Sequence, residues 1–296
     1  MIPSKLVRHP APYPTESLPG YVLRLSELNG YPSPRSLYRM AEMKAGECSP
    51  SNFNCPKFAS IVNQEASCLE RIAFRSTDVD VDDLQLLGNR VSTNDLGLTG
   101  ARVCPDCVRD KGCIEAHWHI EVMVACPVHR QAAIYFCGRC RNRLAWIRSG
   151  LLKCKCGDPL LASPRDSYSK ADYWLLDLIR QKALGDPTTY STEPSMPAAQ
   201  LAKTNLRSLL SLVRFVVKQR LTASRSRLPQ FGRHILQAAS SVLEDWPSNF
   251  RKLLRDISPQ TLANGSLTDS LEFEDVQRAI SERFASRLQG RCSVTK

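Results

Sequence analysis

Between Cys104 and Cys156 the chain repeats one arrangement four times: two thiol or imidazole side chains separated by one or two residues. The pairs are Cys104/Cys107, Cys126/His129, Cys137/Cys140 and Cys154/Cys156. A pair this close can place both donor atoms on one ion from a single tight turn, and two pairs complete a tetrahedral zinc site. Sulfur and imidazole suit zinc better than magnesium or calcium, which prefer oxygen. Sequential pairing closes two short loops, with 18 residues between Cys107 and Cys126 and 13 between Cys140 and Cys154. It therefore costs less chain entropy than an interleaved cross-brace, which stays open as the alternative. The expected cofactor is two Zn2+ ions, the first held by Cys104, Cys107, Cys126 and His129 and the second by Cys137, Cys140, Cys154 and Cys156. Cys113, with His117 and His119, is a competitor for the first site.

Full donor sets argue against metal catalysis, because catalytic zinc keeps an open position. The His119-Ile120-Glu121 fragment follows the Cys-Pro-x-Cys pair instead of preceding it, the reverse of the base-deaminase order. No phosphate-binding Gly-rich loop and no G-x-S-x-G turn occurs. The chain reads as a binder, not an enzyme.

The rest of the chain reads as mainly helical. Residues 15–31 carry Leu18, Val22, Leu25 and Leu28 at helical spacing, and 33–43 form a second helix. The two make a helical hairpin compatible with a helix-turn-helix. DVDVDDLQLLG (78–88), acidic at its start and closed by glycine, is expected to be a helix. Residues 172–185 form an amphipathic helix, 186–197 a linker rich in Pro, Ser and Thr, and 200–221, 229–245, 250–257 and 270–288 further helices. The expected fold is mainly α with a small metal-stapled α+β centre. Its parts are an N-terminal helical module (1–100), a double zinc module (101–160), a connecting helix (161–185), a linker (186–197) and a C-terminal helical domain (198–296).

Charge is unevenly placed. Of the net +11, residues 101–156 hold +6, and 194–243 hold eight basic side chains and no acid. Lys203, Arg207, Arg214, Lys218, Arg220, Arg225, Arg227 and Arg233 form a basic segment suited to a polyanion partner, with phosphate tracking the natural use. An acidic protein surface would satisfy it equally. The chain has no apolar run near the ~18 residues of a membrane span and no signal-peptide core at Met1–Pro14, so no membrane partner is expected. A reducing cytoplasm follows, and there cysteine clusters favour metal over disulfides.

Together these residues resemble the TniQ family, which includes the related N-terminal part of TnsD proteins. The likeness lies in E-S-L-x-x-(Y/W)-x-x-R-L-(A/S)-x-x-N-G-(Y/F), here Glu16 to Tyr31. It continues in Cys104, Pro105 and Cys107, then Trp118, then Ala125, Cys126, Pro127 and His129, and in Cys137, Cys140, Cys154, Cys156 and Gly157. Trp246, Pro247 and Phe250 resemble a C-terminal feature of the same family. Pro19 and Gly20 depart from the pattern, where bulkier helix formers are usual. The resemblance implies a non-enzymatic selector of transposition targets in the bacterial cytoplasm. Such a protein links target DNA, or a CRISPR Cascade-type effector with its guide RNA, to an AAA+ ATPase regulator of the TniB or TnsC type, in some systems as a homodimer. The alternative is a stand-alone, zinc-dependent, sequence-specific DNA-binding protein.

Overall fold

The computed structural model describes residues 5–76, 82–162, 168–186, 196–223 and 232–256. They divide between two units, drawn from Met1–Ser169 with Leu176–Pro187 and from Lys170–Leu175 with Thr188–Lys296. No helix among the described residues is long and apolar enough to cross a membrane.

The first unit begins with α1 (Leu18–Leu28) and α2 (Arg35–Met40), followed by α3 (Cys55–Val62) and α4 (Ala66–Glu70). Leu18, Tyr21, Val22 and Leu25 of α1 pack with Leu37, Phe58, Ile61, Val62 and Leu69 into one core. The Oγ of Ser17 caps α1 by accepting from the Gly20 amide at 3.2 Å. Pro19 lies in the first turn, where its missing N–H costs nothing. Gly20 is required by a close approach: a Cβ there would lie 3.0 Å from the Ile114 carbonyl oxygen and 2.9 Å from Ser17 Oγ. The departure at Gly20 is thus a packing requirement, and that at Pro19 is one the first turn tolerates. The same approach joins the helices to the cysteine-rich region, since Ser17 donates to Ile114 O at 3.0 Å and Ala116 to Thr15 O at 2.8 Å.

The helix expected over 78–88 is not what forms. Residues 78–81 lie outside the described residues, and Asp83–Leu86 is strand β2 of an antiparallel sheet ordered β1 (Arg75–Ser76), β2, β3 (Asn89–Ser92). Leu84 pairs with Val91 and Leu86 with Asn89. Leu87 and Gly88 have φ of 49° and 84°, the paired positive values of a tight hairpin turn. The glycine that looked like a helix stop is a turn residue. Leu84 and Leu86 are buried with Gln85 exposed between them, a period of two. Asp83, read as a helix-dipole partner, is buried against Arg90 at 2.8 Å.

The cysteine-rich region adds α5 (Pro105–Lys111), a 3-10 turn at Ala116–His119 and the hairpin β4 (Ala125–Cys126) and β5 (Gln131–Ala132). Helix α6 (Lys170–Leu184) divides between the units, its first six residues with the second.

The second unit is helical throughout its described part: α7 (Ala198–Lys203), α8 (Leu206–Ala223), α9 (Arg233–Leu243) and α10 (Ser248–Asp256). Leu209, Leu210, Leu212, Val213, Val216 and Val217 of α8 are buried, as are Leu236, Ala239, Val242 and Leu243 of α9 and Phe250 and Leu254 of α10. Ser240 of α9 donates to the buried Asp172 of α6. The Trp246 and Phe250 rings stand 4.9 Å apart, so the W-P-x-x-F string serves packing. The segments expected as linker and as a helix over 270–288 fall, except Asp186, Met196 and Pro197, outside the described residues.

Candidate metal centres

The first centre is built from a helix start and a hairpin turn. Cys104 is the N-cap of α5 and Cys107 lies in its first turn, with Pro105 between them fixing the helical entry. Cys126 ends β4, and the turn to β5 brings His129 back over it, the His129 amide donating to Cys126 Sγ at 3.3 Å. The four donors converge. His129 Nδ1 lies 3.5 Å from Cys104 Sγ, 3.3 Å from Cys107 Sγ and 3.5 Å from Cys126 Sγ, and Cys107 Sγ is 3.4 Å from Cys126 Sγ.

These distances test the fit. With Zn–S near 2.3 Å and Zn–N near 2.0 Å, a tetrahedral site has S···S and S···N edges of roughly 3.5–3.8 Å. A disulfide would need about 2.05 Å. The observed edges, 3.3–3.5 Å, lie close to the first figure and far from the second, so the donor set fits a small ion.

The surroundings of the first cluster complete it. His129 turns its other nitrogen, Nε2, to Asp110 Oδ2 at 2.9 Å. This is the carboxylate–histidine arrangement that fixes the ring and its tautomer. Gln131 Nε2 donates to Cys104 Sγ at 2.8 Å and to Asp106 Oδ2 at 3.0 Å. Hydrogen bonds from the Cys107 and Cys126 thiols, the largest influence, hold Cys104 down to about 2. The same contacts with Cys104 push Cys107 far up and Cys126 up to about 12. Three thiolates this close repel one another, and a divalent cation is what would let all three ionise.

The second centre joins a knuckle to a tight turn. Cys137 Sγ is 3.7 Å from Cys156 Sγ, and Cys140 Sγ is 3.7 Å from Cys154 Sγ. Backbone amides shape both ends: Arg141 donates to Cys137 O at 3.0 Å and Gly157 to Cys154 O at 2.9 Å. The amide of Cys140 draws the Cys137 thiol down to about 7, while desolvation first and its neighbours second push Cys154 up to about 12. Cys156 is exposed and Cys140 half-buried, so this cluster stands nearer the surface than the first.

In each cluster all donor atoms lie within 4.8 Å of one another, and the grouping is sequential, without cross-bracing. Cys113, His117 and His119 are not brought to either cluster. Both histidines are fully buried, with all four ring nitrogens lacking a hydrogen-bond partner. His119 stacks on Trp146 at 4.9 Å and tilts against Phe74 at 4.6 Å. Asp106, Asp110 and Gln131 are the site residues that sequence reasoning missed. The usable signal for Asp110 was an acid one helical turn beyond Cys107, near enough to turn towards the imidazole ligand.

The basic residues are placed separately. Arg207, Ser211, Arg214 and Lys218 follow one another at three- and four-residue steps along the narrow accessible stripe of α8, with Arg214 and Lys218 exposed. Lys203 and Arg233 are exposed as well. Arg220 lies on α8, where its side chain is outside the described residues, and so are Arg225 and Arg227.

A mainly helical chain with small sheets and two four-donor clusters able to hold metal ions is the class that this fold and site define. Residues 7–132 match the TniQ family, which supports over that span the resemblance read from the sequence. That match is what points to a transposition-associated role in target selection. No match was found among curated proteins. The matched span contains the whole first cluster and ends before Cys137, so the second cluster and the second unit lie beyond it.

Proposed function

We propose that this chain is a non-enzymatic target-selection adaptor for DNA transposition, held in shape by two zinc ions. One side of it meets a target-bound complex, either target DNA or a CRISPR Cascade-type effector with its guide RNA. Another recruits an AAA+ regulator of the TniB or TnsC type. The observation that carries the reading is the inward convergence of four protein donors at each centre, inside and just beyond a TniQ span. Such a set leaves no ligand position for substrate, so zinc would act by binding Cys104, Cys107, Cys126 and His129, and Cys137, Cys140, Cys154 and Cys156, as a structural tie. Transposition assays and pull-down with a cognate AAA+ regulator, comparing the chain with Cys126→Ser, test it. Loss of regulator capture and of targeted insertion is expected, and unaltered target choice would sink the idea.

The second reading, a stand-alone DNA-binding protein, is favoured by the row of Arg207, Arg214 and Lys218 on α8. Tight, sequence-specific binding of a duplex by the isolated chain would select it over the adaptor.

A further inference from the structure

The first unit carries a surface that the metal centres do not explain. Arg35, Tyr38 and Arg39 of α2, Met43 just beyond it, and Ile147 line an open groove of about 710 Å3. That lies in the range of ~300–1,000 Å3 typical of small-ligand pockets, room for a few side chains and not for a folded domain. Both walls are held from behind. Tyr38 packs edge-on against Phe53 at 6.1 Å, and Phe53 against Phe58 of the core at 5.3 Å. Ile147 sits in the loop between Cys140 and Cys154. There the buried Arg148 donates to the carbonyls of Ala145 (2.7 Å), Gly150 (3.0 Å) and Leu151 (3.2 Å). The Leu151 amide donates to Glu27 Oε2 of α1 at 2.9 Å, tying that loop to the helices. The groove is therefore preformed, which lowers the ordering cost of binding.

Its chemistry is mixed in a specific way. Tyr38, Met43 and Ile147 are all partly exposed and give the trough an apolar lining, with Met43 able to adapt its shape. Arg35 and Arg39, one helical turn apart, are exposed, and neither has an ion-pair partner among the described residues. Other basic side chains of this unit do: Lys57 pairs with Glu47, Arg75 with Glu70 and Arg90 with Asp83. Two unpaired guanidiniums beside an apolar trough complement a segment that offers carboxylates next to aliphatic or aromatic side chains.

We propose that this groove docks a short acidic, amphipathic segment of a partner protein. One or two apolar side chains seat against Tyr38, Met43 and Ile147, and carboxylates bind Arg35 and Arg39. A nucleic acid would use the guanidiniums but would set sugar and phosphate against an apolar trough, so the surface favours peptide. The assignment does not depend on the adaptor reading, because it rests on the groove alone.

The test uses the full chain and a displayed random peptide library of ~12 residues, long enough for an extended or one-face helical ligand. The library is panned on wild type and counter-selected on Arg35→Glu/Arg39→Glu. Enriched peptides should combine Asp or Glu with Leu, Ile or Phe. In fluorescence anisotropy the leading peptide should bind the double variant and Ile147→Glu about tenfold or more weakly. Replacing its acids by lysine should restore binding to the Arg35→Glu/Arg39→Glu protein, which also shows that the variant is folded. Enrichment without acidic bias, or affinity unchanged in the variants, would overturn the proposal. So would displacement of the peptide by a duplex DNA that itself depends on Arg35 and Arg39.

Discussion

Asp110 Oδ2 stands 2.9 Å from His129 Nε2, on the side of the imidazole away from the three cysteines. Asp110 lies near the end of α5, the helix that Cys104 caps and Cys107 enters, so one short element supplies two ligands and the carboxylate that orients a third. The Nδ1 lone pair is thereby fixed towards the cluster and made more basic.

Asp110→Ala should therefore weaken zinc at the first centre by ~10–100-fold and leave the second unchanged. Competition with a chromophoric chelator would resolve one tight and one weakened ion. Two ions of unchanged affinity would show that Asp110 has no part in holding His129.

The motif residues Glu16 and Arg24 are bound to each other. Arg24 Nε meets Glu16 Oε1 at 2.8 Å and its terminal nitrogen meets Oε2 at 2.7 Å, with Glu16 fully buried. The guanidinium also lies over the rings of Tyr13 (4.7 Å) and Tyr21 (5.3 Å). Glu16→Gln leaves a buried cation without its counter-charge and should cost ~3–5 kcal/mol of stability. Glu16→Gln/Arg24→Met removes both charges and should recover much of that loss. Denaturant midpoints of the three proteins decide it, and a single variant as stable as wild type would refute the account.

The parts of the structure legible in the sequence are those set by near neighbours. Cys104/Cys107 and Cys137/Cys140 announce themselves because each ligand pair is made within one turn. The helices within residues 15–43, with α8 and α9, follow from apolar spacing alone, whereas the single helix expected over 200–221 is broken at Thr204 and Asn205 into α7 and α8. Residues 82–88 were misread because an acidic start and a terminal glycine serve a hairpin as well as a helix. Only Leu84 and Leu86 carried the opposing period-two signal. Gly20 depends on Ile114, far along the chain, and Asp110 on the path of a hairpin that returns His129 to α5. The groove joins α2 to Ile147 through Glu27 and Leu151. Such meetings are products of tertiary folding, and apart from the one-turn step from Cys107 to Asp110 no local spacing hints at them.

His117 and His119 make acid sensitivity a built-in property of this module. Burial comes first among the causes holding both rings neutral: His117 lies well below its usual range and His119 is lowered to about 3. Nearby positive charge, Arg180 for His117 and Arg102 for His119, acts in the same direction. In the unfolded chain both titrate near 6.5. Between pH ~6.5 and the folded values the unfolded state binds more protons, so stability must fall as pH falls. Above ~6.5 both states are neutral at these residues and their contribution is fully present. For His119 the loss runs from pH ~6.5 down to about 3, at a limiting slope of about 1.4 kcal/mol per pH unit. Thiolate protonation, with release of any metal bound at the two clusters, would add to acid lability, so the histidine share has to be read as a difference. His119→Phe keeps an aromatic ring between Phe74 and Trp146 and removes the titration. Unfolding free energies measured from pH 7.5 to 5 with zinc in excess should fall less steeply for this variant, by up to about 1.4 kcal/mol per unit. Parallel profiles for the two proteins would mean that His119 is not held neutral in the folded state.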